Sequence, residues 1–599
     1  MDWIGWGLIV GKRFDLFMLL LALCFLALVP TVVLAAHFDI EKAMVRFWDS
    51  DTMYNESVQM AAISGGAPSA KLLFPPVEIL SVQSSSLDKT YVKGVDWVFE
   101  NGMLKLLPGS QAAFMTEAQL YPSVKSENTM DKLGGGYVFY IQAHYLHQQQ
   151  LAVTYTHAPD LWVGPVPVYQ ESSLPTVIGK LKKGSAVTIV FYGDSILSGA
   201  NASGTLSGDT TTASPHMPSW GTLVADNLKR YYTSPIIDQN SSLGGMDSWW
   251  GKANVATHVS AFKPDLVVIG FGMNDAGSAF PPDFKKNVQA MMDDVKSKNP
   301  AAEFLLVATT LANSETNFEA MQPLFKPVLD ELAGPGVVVV DMTGVHRELL
   351  LHKEFRDMTG NNINHPNDWL IRWYAQQLTA FLIPKDQPLL TTRKNVALSS
   401  FGGIATSSSN YDWQFHPYSV INGDRRGYDY GAGRNGGCWN DKTPDVFPDW
   451  VQIDFDREYS IGEIDLFTVQ DDHQNPVEPT ANLAMSKFGP KDFQVQYWNA
   501  SAWVTIPGGN VTGNDKVWRQ FIFAPVKTPK IRVMVDKAAD GYSRITEIEA
   551  YSELAASALT NSPKFPSLRA DVPVRKFDLQ GKRVGARKRV SRKFVFMGR

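Results

Sequence analysis

The sequence predicts a multidomain protein in which a central three-layer α/β domain is flanked by two β-sandwich domains. Three changes of pattern along the 599 residues carry this reading. Between about Pro75 and Gln170, short alternating apolar segments are separated by Gly, Pro, Asn and Asp, as in a sandwich of short strands. From about Lys183 the apolar runs become continuous and alternate with helix-like stretches, as in strands buried on both faces by crossover helices. From Asn395 to Tyr551 the short strands return. The boundaries that follow are a leader (1–36), a linker (37–74), an N-terminal β-sandwich (75–182), the α/β domain (183–386), a connector (387–394), a second sandwich (395–553) and a basic tail (554–599).

Composition excludes several classes. With 44% hydrophobic, 19% charged and 11% aromatic residues, 16 of them Trp, the chain has ample material for packed cores. A formal net charge of -5 gives no electrostatic footing for nucleic acid as a partner. Two cysteines, Cys24 and Cys438, cannot build a disulfide framework. No spacing of His, Cys, Asp or Glu reads as a catalytic metal site, and no phosphate-binding glycine loop is present.

Lys12 and Arg13 precede an uncharged apolar run from Leu16 to Ala36 that closes on small residues, the grammar of a signal peptide. Export to the bacterial envelope or medium is therefore expected, with membrane attachment only if the leader stays uncleaved. At the other end, Asn561 to Arg599 carries twelve Lys/Arg against two Asp, an exposed basic tail. Its segment Lys576 to Val584 resembles the C-terminal sorting tails of secreted bacterial proteins; a solvated polybasic tail that adheres to acidic envelope polymers is the alternative.

In the N-terminal sandwich, strands are expected at Tyr91–Phe99, Gly136–Ile141 and Leu151–Tyr155. The α/β domain offers Val187–Tyr192, Leu266–Phe271, Phe304–Ala308 and Val337–Val340 as buried strands, with helices at Asp283–Ser297, Asn317–Leu332 and Asp368–Leu382. The second sandwich offers Trp450–Phe455, Ile461–Leu466, Phe493–Trp498 and Ile531–Val535.

Four blocks stand at the strand ends of the α/β domain: Gly193-Asp194-Ser195, the glycine loop Asn240–Met246, Gly272-Met273-Asn274-Asp275, and Asn361-Asn362-Ile363-Asn364-His365 before the last helix. A serine at the C-terminal edge of a parallel strand sits where open α/β sheets place ligands. Any one block is an ordinary turn; the four in this order, over about Lys183 to Leu382, resemble the SGNH hydrolases, also called the GDSL esterase/lipase family. The resemblance implies a flavodoxin-like sheet and a serine esterase. It makes Ser195 the nucleophile, His365 its general base, and the backbone N–H of Ser195, the backbone N–H of Gly245 and the side-chain amide of Asn274 the oxyanion donors. The chemistry has that need: a serine hydroxyl is a weak nucleophile near neutrality and requires a hydrogen-bonded base.

One position departs from the family. An acid usually stands three residues before the histidine, and here that residue is Asn362. In serine proteases, replacing the triad Asp by Asn costs about 10⁴ in turnover through the wrong histidine tautomer. A neutral orienter of His365 is therefore expected, the amide oxygen of Asn362 or a backbone carbonyl accepting the Nδ1–H, as neutral groups do in carbohydrate esterases that resemble this sandwich-plus-SGNH layout. Asp368, three residues after the histidine, is the other candidate partner but is read first as a helix cap. His216, Trp220, Trp249 and Trp250 flank the first two blocks as candidate pocket residues.

In the last domain, Val420-Ile-Asn-Gly-Asp424, Trp439-Asn-Asp441, Pro448–Phe455 and Tyr542–Glu549 resemble a discoidin, or coagulation-factor C-type, galactose-binding-like domain. That resemblance implies loop-borne glycan binding, with a structural calcium in some relatives. The combined expectation is a secreted esterase that removes acetyl or other short acyl groups from a polysaccharide or oligosaccharide without a catalytic cofactor. The alternative is a non-catalytic glycan-binding protein with a degenerate hydrolase domain.

Overall fold

The computed structural model describes residues 38–206, 212–318, 320–390, 394–427 and 437–552. The expected leader and basic tail lie outside the described residues. The multidomain architecture is as the sequence predicts, with a parallel α/β domain between two antiparallel β-domains.

The N-terminal domain begins well before Pro75, and 37–74 is no linker. Strand β1 (Thr52–Val58) lies in that stretch and pairs antiparallel with the last strand of the domain. One sheet runs in the order β1, Leu151–His157, β2 (Pro76–Ser84), Thr90–Tyr91. The second holds five short strands, two of them, Ala61–Ala62 and Ser69–Ala70, again from the supposed linker. A hairpin of β3 (Thr129–Asp131) and β4 (Tyr137–Phe139) leaves this body, and helix α1 (Tyr145–Gln149) leads into β5 (Leu151–His157). The segment expected as one strand, Tyr91–Phe99, is broken by a turn after Tyr91, and its second strand starts at Trp97.

The α/β domain starts at α2 (Pro175–Lys182), not at Lys183. Its sheet contains β6 (Val187–Gly193), β7 (Ile236–Asn240), β8 (Leu266–Gly270), β9 (Glu303–Ala308) and β10 (Val337–Asp341), all parallel, in the order β7-β6-β8-β9-β10. That 2-1-3-4-5 order is the flavodoxin-like one, which places ligands beyond the carboxyl ends of the strands. Buried Glu303 at the foot of β9 accepts the N–H groups of Thr176 and Val177, so a carboxylate caps the otherwise unpaired start of α2. Helices α3 (Ser195–Ser198), α4 (Trp220–Tyr231), α5 (Ser248–His258), α6 (Pro281–Lys298), α7 (Gln322–Asp330), α8 (Met342–Leu349) and α9 (Asp368–Leu382) complete the layers. The last helix has the bounds expected from its pattern. Helix α7 starts five residues later than expected, at Gln322, with Pro323 in its first turn, where a missing N–H costs nothing.

The third domain is a sandwich dominated by β11 (Asp449–Phe467), β12 (Pro490–Trp498), β13 (Trp503–Val511), β14 (Trp518–Ala538) and β15 (Glu547–Ser552). The two runs expected as separate strands, Trp450–Phe455 and Ile461–Leu466, are one long strand whose register shifts between Asp454 and Tyr459. The domain docks on α4, where Lys229 lies 3.3 Å from Asp226 and 3.5 Å from Asp238, beside Gly423.

The N-terminal and α/β domains share one continuous hydrophobic core. Phe47 and Trp48 pack on Trp369 and Trp373 of α9, with Phe47 and Trp373 ring centroids 4.8 Å apart. Burying an unpaired polar group in such a seam is costly, and several of its polar groups pair across it. Lys353 Nζ lies 2.6 Å from Glu56 Oε1, both side chains fully buried, and also donates to Ser57 O and Lys71 O. Glu56 also accepts from the Tyr155 hydroxyl and the Leu73 N–H. Arg372 of α9 donates to Ala43 O and Tyr54 O, and Gln376 exchanges bonds with Phe47 N and Ala43 O.

Removing one partner of the Glu56–Lys353 pair leaves an uncompensated buried charge. Lys353→Met is expected to destabilise the protein by about 3–5 kcal/mol, read as a lowered urea midpoint; an unchanged midpoint would show that the pair does not hold the seam.

Candidate active site

The site lies at the carboxyl end of the parallel sheet, where β6 breaks into α3. Asp194 caps that short helix, accepting the Ile196 N–H at 2.9 Å, and Ser195 is its first residue. Burial pushes the Asp194 carboxyl up to about 7, with nearby Asp275 adding to the effect. Asn240 at the end of β7 donates to Leu197 O and accepts the Ser242 N–H, tying the glycine loop to the serine turn.

Histidine arrives on the loop before α9. The side-chain oxygen of buried Asn361 accepts the N–H groups of Ile363, Asn364 and His365, each at 3.0 Å, and its amide donates to Asn364. This one side chain fixes the loop. Thr359 Oγ1 and Gly360 N–H both donate to His365 O, closing it from the other side. The ring then sits with Nε2 2.9 Å from Ser195 Oγ. Burial lowers the His365 pKa to about 4, so the imidazole is neutral near neutrality.

Asn362 does not orient His365. The acceptor facing Nδ1 is Asn201 Oδ1, at 2.7 Å. Asn362 instead has a left-handed backbone (φ 65°) and sends its amide nitrogen to Phe139 O of β4, 2.8 Å away, while its carbonyl accepts from Asn313. It pins the histidine loop to the N-terminal domain. Sequence reasoning missed Asn201 because it stands among small residues six positions after the serine, with no spacing that links it to a histidine 164 residues away. The only local hint was an asparagine after Gly-Ala in a turn, a residue type that tolerates the positive φ of 65° it adopts here.

Asp368 is neither partner nor cap. The N-cap of α9 is Asn367, which accepts the Leu370 N–H, while Asp368 in the first turn accepts the N–H and hydroxyl of Ser203. Its bonds anchor the loop that follows α3. Among the described residues, the N–H groups of Ser195 and Gly245 meet no acceptor, which leaves both available to a ligand. Gly245 has φ 78°, a conformation that favours glycine, and a Cβ built on Gly244 would lie 3.8 Å from Ser195 Cβ, so the glycine pair borders the serine. Asn274 spends one amide hydrogen on Met246 O at 2.9 Å, which fixes it against the same loop.

The expected pocket aromatics divide. Trp220 is core: buried, stacked on Tyr374 at 5.2 Å, with Nε1 bonded to Ile196 O. Trp250 packs on Tyr192 and His258. The His216 ring is held in its own turn by Thr212. Trp249 alone stays largely exposed.

Residues 191–369 match the model of the GDSL-like Lipase/Acylhydrolase family. No curated protein matches the chain. Among solved structures, the chain is similar to a two-domain esterase (CEX) active on acetylated mannans, at 18% identity over 65% of this chain and 98% of that one, with a TM-score of 0.30. It is also similar to the family 32 carbohydrate-binding module of C. perfringens NanJ in complex with galactose (13% identity, 27% and 99% covered, TM-score 0.21) and to chitosan-binding module 1 from a Paenibacillus sp. IK-5 chitosanase/glucanase (17% identity, 26% and 99% covered, TM-score 0.20).

Two outcomes follow. With His365 as the base and burial lowering its pKa to about 4, kcat/KM for 4-nitrophenyl acetate should hold its plateau down to about pH 5 and fall below it; an acidic limb between pH 6 and 7 would contradict a buried, neutral His365. Asn362→Asp should lower activity rather than restore a triad, since a carboxylate there would face Phe139 O; a large gain in kcat would show that position 362 does reach the histidine.

Proposed function

We propose that this carboxylic ester hydrolase, whose residues 191–369 form a GDSL-like lipase/acylhydrolase domain, is an exported enzyme that removes short acyl groups, acetyl first among them, from polysaccharides. The observation that carries the reading is the 2.9 Å contact of Ser195 Oγ with His365 Nε2, in a ring whose Nδ1 has its own acceptor. With Nδ1 carrying the proton, Nε2 is free to take the hydroxyl hydrogen.

The steps then balance. Ser195 Oγ attacks the ester carbonyl carbon while its proton passes to His365 Nε2. The carbonyl oxygen becomes an oxyanion that takes hydrogen bonds from Ser195 N–H, Gly245 N–H and Asn274 Nδ2, each such donor being worth about 100- to 1000-fold in rate. As the bond from the acyl carbon to the sugar oxygen breaks, the imidazolium gives its proton to that oxygen, releasing the sugar hydroxyl and leaving an acyl-serine. Water, deprotonated at Nε2, attacks that ester, and collapse releases the carboxylic acid and restores Ser195.

A polymer substrate is supported by the architecture. A discoidin-like sandwich that holds a glycan on the same chain would raise the local concentration of ester groups without adding a contact to the reacting one. The loops around Ser195, namely Leu243–Met246, Asn274–Ser278 and Asn361–Asn364, are short and mostly polar or glycine-rich, which suits a sugar with a small acyl group better than a long lipid chain.

Acetate release from acetylated polysaccharide by the full chain tests the reading. Wild type should release acetate, and Ser195→Ala and His365→Ala should each lose at least about 1000-fold in kcat while binding the polymer as before. Undiminished release by either variant would overturn the proposed Ser195–His365 pair.

A further inference from the structure

We infer that Asn201 is the positioning residue of this reaction and that the site requires it to be an uncharged amide, held the right way round by the N-terminal domain. The inference rests on the proposed esterase reading and deepens it. Asn201 Nδ2 faces three backbone carbonyls, Gln142 O at 2.8 Å, Ala143 O at 3.2 Å and Gly360 O at 3.3 Å. Carbonyl oxygens only accept hydrogen bonds, so the atom facing them must be a donor. The amide is thereby fixed with Oδ1 toward His365 Nδ1, which in turn must carry its proton there.

Two of the three carbonyls belong to the segment between β4 and α1 of the N-terminal domain. The third belongs to the histidine loop itself, at a glycine on which a Cβ would come within 2.5 Å of Asn201 Cβ. Asn201 is 2% exposed, so a group left unpaired there stays buried and costly. The N-terminal domain thus sets the tautomer of the general base without touching the reacting atoms.

A carboxylate in this place would aim one oxygen at three carbonyl oxygens with no hydrogen between them. Only its protonated form, an O–H toward Gln142 O and a C=O toward His365, reproduces the amide. The pH dependence of Asn201→Asp is therefore the discriminating readout, because a merely structural asparagine would not shift it. Glycine tolerates the backbone at φ 65°, so Asn201→Gly removes the amide without backbone strain.

The experiment measures kcat and KM of the full-length protein on 4-nitrophenyl acetate from pH 4.5 to 9 as a set, with Ser195→Ala alongside, the range being approximate. Asn201→Gly should lose about 100-fold or more in kcat at all pH values with little change in KM. Asn201→Asp should fall at least about tenfold below wild type above pH 7 and recover toward it on acidification, as the new carboxyl protonates. An Asn201→Asp variant as active as wild type or better at pH 7 to 8, its acidic limb moved upward, would overturn the inference, as would a fully active Asn201→Gly. The isosteric aspartate variant decides the matter should the glycine variant not fold. If Ser195→Ala turns over as fast as wild type, the esterase reading itself fails; if Ser195→Ala is dead and Asn201→Gly is not, only this inference does.

Discussion

A buried seam between the N-terminal sandwich and the α/β domain constrains everything else in this molecule. Two faces that bury Phe47, Trp48, Trp369 and Trp373 in one core make an unpaired polar group between them costly. Several such groups have a partner on the far side: Glu56 with Lys353, Arg372 with Tyr54 O, Gln150 with Thr359 O and Asn367 with Ser57. Buried pairs of this kind add little net stability over an apolar seam but are costly to half-remove, so they specify one registry of the two domains. The geometry of the proposed Ser195–His365 pair depends on that registry.

The path from seam to chemistry is short. Lys353 and Asp357 open the loop that carries His365, and Asp357 accepts the Gln59 N–H of the N-terminal domain. Asn362 sends its amide to Phe139 O, and Asn201 sends its own to Gln142 O and Ala143 O. The hairpin of β3 and β4 also reaches the loop after β9, where Leu133 N donates to Glu315 O and Lys132 pairs with Glu315. The N-terminal domain therefore supplies part of the shell that holds His365, the proposed base, in place, which is how preorganised sites keep their geometry without strain at the reacting atoms.

Much of this was legible in the sequence, and the parts that were not share a cause. Helix α9 announces itself through its apolar periodicity, β6, β8, β9 and β10 through unbroken apolar runs, and Ser195, Asn274 and His365 through blocks at strand ends and before α9. Strand β7 escaped because Ile236–Asn240 is an edge strand with Asp238, Gln239 and Asn240 in its second half. Strand β1 escaped because Asn55 and Glu56 interrupt its apolar run, and Glu56 is acceptable there only because Lys353 arrives from 297 residues away. Asn201 escaped for the same reason, while Asn362 stood at the position where the family keeps its acid. Local pattern cannot show a polar residue whose partner is supplied by another domain.

The most direct test of the account is the protonation state of one ring. Nitrogen NMR of histidine-labelled full-length protein, assigned by His365→Ala, reports both tautomer and titration. A neutral His365 with its proton on Nδ1 is expected throughout the range from neutrality down to about pH 5. A proton on Nε2, or a ring that titrates near its ordinary value of about 6.5, would contradict it: the amide of Asn201 would not then be what holds the base in readiness.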